Sequence, residues 1–155
     1  MFKFNSIIEI PFKTAVDFPE RISHKIRIGK SFIDKTYREL AQDIKACGVA
    51  LEKAGITVGD HVSFFVCNRY EWIVCDFALM LLSAVSVPRG SDTTVNEQQF
   101  LFHHSDSNNL IIENVEQLKK LITVFKDEDF TNCRKIVIIE DGDLIDIDEE
   151  IAAKV

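Results

Sequence analysis

The chain has 155 residues, which corresponds to a single domain on the usual prior of about 100–200 residues each. Its content of 46% hydrophobic and 28% charged residues is typical of a globular protein and excludes a disordered or fibrous chain. A net charge of −7 with dispersed Lys and Arg argues against nucleic acid as a partner, because phosphate binding requires clustered positive charge.

Signals for targeting and compartment are weak. The amino-terminal MFKFNSIIEIPFK lacks the apolar run of a signal peptide. The stretch from Trp72 to Val87 is interrupted by Asp76 and is shorter than the ~20 residues of a membrane span. Cysteine spacing fits neither a metal site nor a secreted disulfide framework. We therefore predict a cytoplasmic protein with no transmembrane segment, and peripheral association with a membrane stays open.

Two short alternating runs predict a β-hairpin in the lead segment, residues 1–35. The runs begin at His24 and Ser31 and flank Gly29-Lys30. From Thr36 the period becomes helical. Thr36 and Glu39 form a capping box at the start of this helix, and Gly55 supplies the left-handed position that ends it. Its apolar face comprises Leu40, Ile44, Cys47 and Leu51.

A continuous β-prone run at 61–66 predicts an interior, parallel strand after the Gly59-Asp60 turn. Asn68, with Glu71 three residues later, is predicted to cap a second helix over 69–82. Since that helix is apolar almost all round, we expect part of its surface to contact protein outside these residues.

The same alternation continues to residue 140. The segment 84–88 is a predicted strand ended by proline, and Thr94 with Glu97 forms a second capping box. A strand at 110–113, a helix capped by Asn114 and a strand at 135–140 follow. The predicted fold class is α/β, a mostly parallel sheet with helices on both faces over residues 36–140. The acidic segment 141–155 is interpreted as a truncation point.

No glycine-rich phosphate loop of either common pattern, GxGxxG or GxxxxGK[ST], occurs in the chain. The nearest candidate is the loop Gly90–Thr94, which follows a strand and precedes a helix, but Asp92 would repel a phosphate. We interpret the loop as a turn and helix cap.

Candidate metal and acid–base residues favour structural interpretations. His103 and His104 are adjacent at a helix end, point in different directions and lack a spaced third ligand, which favours a solvated terminus. The acidic stretch 140–150 resembles a calcium loop only in composition. Asp76 is interpreted as lying on a single solvent-exposed stripe of the apolar helix.

No nucleophile can be paired with a base from the sequence. Burial is predicted for Cys47, Cys67 and Cys75, because each lies within or beside an apolar element. Trp72 is interpreted as a packing residue. We therefore predict no catalytic residue and no metal ligand in this chain, and its cofactor-binding residues stay unassigned.

The motifs between Thr36 and Pro88 together resemble the amino-terminal portion of the AMP-binding, adenylate-forming enzymes. The resemblance rests on the ordered set TYREL from Thr36, the Gly55 to Val62 turn, NRYEW from Asn68, and Val87-Pro88. It covers about residues 36–140 and is more specific than any one motif. The loop from Pro88 to Thr93 looks most like bacterial long-chain acyl-CoA synthetases, although Ser83 and Arg89 depart from the common pattern.

The resemblance implies ATP-dependent activation of a fatty acid to an acyl-adenylate, followed by transfer to coenzyme A. ATP, Mg²⁺ and CoA are implied for the parent enzyme, none of them bound by this chain alone. The family's phosphate loop, its adenine and ribose motifs and its catalytic lysine have no counterpart in these residues. The expected partners are the remainder of the parent chain, a fatty acid, ATP and CoA. The alternative is a freestanding α/β binding or regulatory module without adenylation chemistry.

Overall fold

The computed structural model describes residues 5–140. The acidic segment 141–155 lies outside the described residues, as does nearly all of the stretch that was compared with a calcium loop. The elements in chain order are α1 (Glu9–Asp17), β1 (Ile22–Ile28), β2 (Ser31–Thr36), α2 (Tyr37–Lys53), β3 (His61–Phe65), α3 (Tyr70–Leu81), β4 (Val85–Arg89), α4 (Val95–His104), β5 (Asn109–Ile112), α5 (Val115–Ile122), α6 (Asp127–Asn132) and β6 (Lys135–Ile138).

The hairpin and the first long helix are confirmed. Strands β1 and β2 pair antiparallel around Gly29, which has a φ of +60°. At the start of α2 the Glu39 N–H donates to Thr36 Oγ1 at 3.2 Å, and the Thr36 N–H donates to Glu39 Oε2 at 2.7 Å. Gly55 follows α2 with a φ of +98°. This reciprocal capping satisfies two backbone donors that the first helical turn otherwise leaves unpaired.

The four-stranded sheet is parallel throughout, in the order β4-β3-β5-β6. Each face of the sheet carries its own hydrophobic core, because successive side chains along a strand point to opposite faces. Val62 and Phe64 of β3 pack with α2 and α3, whereas Phe65 packs with the helices that follow β4 and β5. Strand β5 does the same, with Ile111 on the first face and Ile112 on the second. Helices on both faces of a mostly parallel sheet are thus confirmed.

A tight turn positions the start of β3. Gly59 has a φ of +79°, which only glycine adopts without strain, and a Cβ there would meet nothing within 4 Å. Asp60 is 6% exposed; it accepts a hydrogen bond from the Thr57 N–H at 2.8 Å and pairs with Arg134. The ion pair between Asp60 and Arg134 thus joins the turn between α2 and β3 to the segment before β6.

The prediction that Asn68 caps the second helix is wrong. Helix α3 begins at Tyr70, its N-cap residue is Arg69, and no side chain caps it. Arg69 has an extended backbone, with φ −142° and ψ 172°, and its guanidinium lies among carboxylates at the sheet edge. The contacts of a long charged side chain therefore set the start of this helix, and a local capping signal does not.

Strand β4 continues past the proline that was predicted to end it. It pairs with β3 in register from Val85 to Arg89, as Phe64 with Pro88 and Phe65 with Arg89. The Arg89 carbonyl accepts from the Val66 N–H, so alternate residues of β4 face β3 and Pro88 faces the outer edge. A proline at that position removes no hydrogen bond from the ladder.

The cover of α3 also differs from expectation. The sheet and α2 bury its central residues Val74, Ala78 and Leu79, and Leu81 at 43% exposure is the one large apolar residue of α3 that stays exposed among the described residues. Most exposed apolar side chains instead belong to the segment around α1 and to the hairpin: Ile7, Ile10, Val16, Phe18, Ile22, Ile28, Phe32 and Ile33. Within residues 5–140 no helix has the length and apolarity to cross a membrane.

Replacing Thr36 with alanine tests the capping box. Loss of the hydroxyl acceptor leaves the Glu39 N–H unpaired, so we expect the free energy of unfolding to fall by about 1 kcal/mol. Urea unfolding followed by circular dichroism measures this change. Thr36→Ser retains an acceptor and should stay within a few tenths of a kcal/mol of the parent; equal losses for both variants would contradict the capping role.

Candidate functional site at the carboxyl edge of the sheet

The chain reverses its direction across the sheet at β3. Helix α3 leads from β3 to the edge strand β4 on one face, and α4 then returns on the other face to β5, which lies on the opposite side of β3. The segments after β3 and β5 therefore diverge to opposite faces. In open α/β sheets the crevice beyond the carboxyl ends of such strands is where ligands bind, so this edge is the first candidate for a functional site.

Polar side chains from the ends of all four strands meet there. We call them the carboxyl-edge cluster; its members are Cys67, Arg69, Ser91, Glu113 and Glu140. Two of them follow β3, and one follows each of β4, β5 and β6. The parallel register alone brings them together, because parallel strands present their carboxyl ends at one edge.

Hydrogen bonds join three of the loops directly. The Ser91 hydroxyl donates to Glu113 Oε2 at 2.7 Å, and Cys67 Sγ lies 2.7 Å from Ser91 Oγ. The Cys67 N–H donates to the same carboxylate oxygen at 3.2 Å. Since the Ser91 proton is directed to Glu113, the Ser91 oxygen is left to accept from the thiol. The loops after β3, β4 and β5 are thus held by one carboxylate.

Arg69 is the positive centre of the cluster. Its Nε lies 2.7 Å from Glu71 Oε2, and its Nη1 lies 3.5 Å from Glu113 Oε1 and also contacts Glu140. These three carboxylates come from α3, from the end of β5 and from the end of β6. One guanidinium offers five N–H donors in a fixed plane, which suits it to several carboxylates at once.

The pKa values of these groups follow from the same contacts. The hydrogen bond to Glu71 raises the pKa of Arg69 above its ordinary value, although partial burial acts against this. Burial alone would raise the pKa of Glu113, but hydrogen bonds from Ser91 and from the Cys67 backbone, together with the charge of Arg69, hold it below the ordinary glutamate value of 4.5. Arg69 and Glu113 therefore form a stable ion pair at neutral pH.

A cleft of about 580 Å³ lies beside the cluster, between β1 and the start of α3. Its lining combines basic, acidic and aromatic groups, which include Lys25, Arg27, Glu71 and Trp72. Lys25 pairs with Asp34 across the hairpin at 2.7 Å, and Arg27 Nε donates to the Gly29 carbonyl at 3.0 Å. Both cations are engaged within the hairpin.

Tyr70 fixes the wall of this cleft. Its hydroxyl donates to Asp43 Oδ2 at 2.7 Å, and Lys35 Nζ donates to the same oxygen at 2.9 Å. The His24 ring packs edge-on against Tyr70 with centroids 5.4 Å apart. Burial and the hydrogen bond to Asp43 raise the pKa of Tyr70, and burial lowers the pKa of His24. Tyr70 therefore stays protonated at neutral pH and joins the hairpin to α2 and α3.

The loop Gly90–Thr94 has the turn and capping role predicted for it, with one addition. Thr94 forms a capping box with Glu97 at the start of α4, and the Thr93 hydroxyl donates to the Gly90 carbonyl at 2.8 Å. Ser91 instead reaches Glu113 and belongs to the carboxyl-edge cluster. The loop therefore contributes to the site through a contact between serine and a carboxylate.

The two histidines and Asp76 of α3 lie away from the cluster. His103 and His104 end α4; His103 is half exposed and contacts the buried Asp129 at 2.8 Å, and the His104 ring stacks on Phe100. Asp76 is half-buried, as a wet stripe on α3 requires. Among residues 5–140, no three His, Cys, Asp or Glu side chains are grouped as a metal site.

The cysteine predictions hold in part. Cys75 is buried and Cys47 is half-buried, but Cys67 is exposed, so its predicted burial is wrong. The reason is that Cys67 lies beyond the last residue of β3, where the chain leaves the sheet before α3 begins. Burial raises the pKa of Cys133 to about 11. The packing role of Trp72 is confirmed, since its ring stacks on Phe64 at 5.8 Å.

Sequence reasoning missed Arg69 and Glu113, the two central members of the cluster. Arg69 directly precedes α3 and Glu113 lies two residues before α5, and charged residues are ordinary at such positions. One signal could have found them: both follow strands that were predicted to be parallel, and parallel strands present their carboxyl ends at one edge of a sheet. Glu113 lies 44 residues from Arg69, and no local pattern connects them.

The fold is a doubly wound α/β sheet with a cluster of polar residues at its topological switch point. A sequence profile of the AMP-binding enzyme family matches residues 12–154. This chain therefore belongs to the AMP-binding enzyme family.

Curated relatives carry acyl-activating names. FadD15 of Mycobacterium tuberculosis, named a long-chain-fatty-acid–CoA ligase, is 28% identical over 103 residues, which are 66% of this chain and 17% of that protein. AEE15 of Arabidopsis thaliana, named a chloroplastic long-chain-fatty-acid–[acyl-carrier-protein] ligase, is 30% identical over 58% of this chain and 12% of that protein. The chain thus spans less than a fifth of the length of these relatives.

Solved structures confirm the fold. The N-terminal subdomain of Klebsiella oxytoca NpsA, in complex with 3-hydroxyanthranilyl-AMSN, has a TM-score of 0.65 and 24% identity over 75% of this chain and 29% of that chain. The anthranilate CoA ligase AuaEII, in complex with anthranoyl-AMP, has a TM-score of 0.73 and 16% identity over 90% of this chain and 26% of that chain. The predicted position in the N-terminal part of an adenylate-forming enzyme is thus confirmed at the level of the fold.

Replacing Glu113 with glutamine tests the cluster. The pKa of Glu113 is lower in the folded chain than its ordinary value of 4.5, so the ionised form stabilises the fold above that pH and this stabilisation is lost as the pH falls through the folded pKa. We expect Glu113→Gln to lower the free energy of unfolding by about 1 kcal/mol at pH 7, and the difference from the parent to shrink below pH ~4.5.

The matched control is Glu116→Gln. Glu116 is three residues further along, 72% exposed and paired with Lys120 within α5, so its replacement should change stability little. Urea unfolding at several pH values measures both variants. A loss at Glu113 that does not depend on pH would contradict the assigned ion pair.

Proposed function

We propose that this chain forms the N-terminal part of an ATP-dependent long-chain fatty-acid ligase. The parent enzyme would convert a fatty acid and ATP to an acyl-adenylate with release of pyrophosphate, and then transfer the acyl group to the thiol of coenzyme A. The observation that carries the proposal is the family match over residues 12–154, supported by curated relatives that are named as fatty-acid ligases.

The described residues do not fit the phosphates of ATP. Arg69 of the carboxyl-edge cluster lies among three carboxylates, which are Glu71 of α3 and the cluster members Glu113 and Glu140. The local charge is therefore negative, and a phosphate placed there would meet Glu113 and Glu140. Lys25 and Arg27, on the nearby cleft, are held by contacts within the hairpin. We therefore assign the binding of ATP, Mg²⁺ and CoA to parts of the parent protein outside residues 5–140.

The cluster would then act through the loops that it holds. Glu113 joins the segment after β3 to the loop after β4, and Arg69 joins both to the end of β6. Polar groups fixed in this way keep three loops at one edge in a single arrangement. In the parent enzyme this edge would support neighbouring substrate-binding segments without itself contacting the reacting atoms.

The exposed apolar residues indicate where the rest of the parent protein would pack. Val16 on α1 is 80% exposed and Phe32 on β2 is 61% exposed. Exposed apolar groups that lie together mark surfaces of interaction. This replaces the earlier expectation for α3, which the chain covers with its own residues. The alternative, a freestanding binding module, leaves these side chains in contact with water.

Pyrophosphate exchange tests the proposal. The full-length protein that carries this region should exchange labelled pyrophosphate into ATP only when a long-chain fatty acid is added, because adenylation is reversible. Residues 1–155 alone should not catalyse the exchange, since the groups that bind ATP are assigned elsewhere. Thioester formation from the fatty acid and ATP, measured with CoA and with acyl carrier protein, then identifies the acceptor.

Two results would contradict the proposal. A stop codon directly after Val155 in the parent gene would favour the freestanding module. Fatty-acid-dependent exchange by residues 1–155 alone would instead place the catalytic groups within this chain.

A further inference from the structure

Two cysteine side chains meet across the interface of α2 and α3, apart from the carboxyl-edge cluster. Cys47 lies on α2 and Cys75 on α3, and their Sγ atoms are 3.8 Å apart. Both thiols are free. A disulfide bond requires an S–S distance of about 2.05 Å. The two sulfur atoms therefore need to move closer together by just under ~2 Å. Side-chain rotation moves a sulfur atom by distances of this order.

The two helices approach closely beside these residues. A Cβ placed on Gly48, the residue after Cys47, would lie 3.3 Å from Leu81 Cδ2 and 4.0 Å from the Ala78 carbonyl oxygen. Gly48 on α2 and Ala78 on α3 are small, and small residues allow helix backbones to come near each other. Close backbones are the condition for a disulfide, which tolerates Cα–Cα distances of only about 4.4–6.8 Å.

The two thiols differ in access and in acidity. Cys47 is half-buried, and Cys75 is 8% exposed. The hydrogen bond from Cys75 lowers the pKa of Cys47, whereas the same hydrogen bond and burial raise the pKa of Cys75. Cys47 is therefore the thiol that an external oxidant reaches and that ionises first, and Cys75 is a protonated partner directly behind it.

We propose that Cys47 and Cys75 are a modification site, at which a peroxide oxidant closes a reversible disulfide between α2 and α3. In the first step the Cys47 sulfur attacks one oxygen of hydrogen peroxide; an S–O bond forms, the O–O bond breaks, and the departing hydroxide takes up a proton to become water. In the second step the Cys75 sulfur attacks the Cys47 sulfur; the S–S bond forms, the S–O bond breaks, and the hydroxide takes the Cys75 proton.

The reaction balances as two thiols and one hydrogen peroxide giving one disulfide and two waters. The sulfurs lose two electrons, which the peroxide gains. A dithiol reductant returns the chain to its original state by thiol–disulfide exchange. The resulting cross-link closes a segment with ends 28 residues apart in sequence. That segment contains β3, Cys67 and Arg69, so the bond ties α2 covalently to the helix that begins at the carboxyl-edge cluster.

Peptide mapping of the purified 155-residue chain tests the proposal. The chain is treated with a small excess of hydrogen peroxide, its remaining thiols are alkylated, and it is digested without reductant. We expect one linked pair of peptides that contains Cys47 and Cys75, lighter than the two reduced peptides by two hydrogens and separated again by dithiothreitol. The unfolding temperature should rise on oxidation by about 5 °C or more.

Single variants provide the controls. Cys47→Ser and Cys75→Ser should each abolish the linked peptides and the rise in unfolding temperature, whereas Cys133→Ser should retain both. If a serine variant fails to fold, alkylation of the wild-type chain with light and heavy reagents before and after reduction identifies the paired cysteines without any substitution.

The proposal fails if Cys47 advances to sulfinic acid while Cys75 remains open to alkylation. It also fails if peroxide oxidises Cys67 and leaves the Cys47–Cys75 pair reduced, or if the linked peptides contain Cys67 or Cys133.

Discussion

The parallel pairing of β3 with β5 is the constraint on which the other features depend. Its register sets Phe64 opposite Ile111 and Phe65 opposite Ile112, so each strand divides its side chains between two cores. A slip of one residue would move each set of side chains to the opposite core and disrupt the packing of both. The same register brings Cys67 and Glu113 to one edge, where the backbone of one bonds to the carboxylate of the other. Core packing and the polar cluster therefore result from one alignment.

Carboxylates saturate the positive charge of Arg69 at this edge of the sheet. Arg69 is the cation of the cluster, and its contacts with Glu71, Glu113 and Glu140 leave the site negative. An anionic substrate gains nothing from such a site. The arrangement instead costs little to maintain, because the groups are partly buried and satisfy one another's hydrogen bonds.

Local signals in the sequence predicted the elements well, whereas contacts between distant residues were beyond them. Thr36 and Thr94 each cap a helix as their spacing predicts, because a capping box involves residues only three apart. Asn68 has a similar local pattern, yet Arg69 takes the N-cap position through contacts with carboxylates that follow other strands. The short helix α6 and helix α1 carry no distinctive period and were not predicted. Fold class thus follows from the pattern of elements, and the site follows from the order of strands in the sheet.

The position of Pro88 bears on strand addition at one border of the sheet that residues 5–140 form. Strand β4 forms one border of the sheet, and Pro88 faces outward from it with no N–H to offer. A strand from another molecule that approached this border would find a missing donor in the middle of the row. Such interruptions discourage the strand addition that leads to aggregates. Pro88 thus removes a donor from the outer border of β4, while the inner ladder with β3 stays complete.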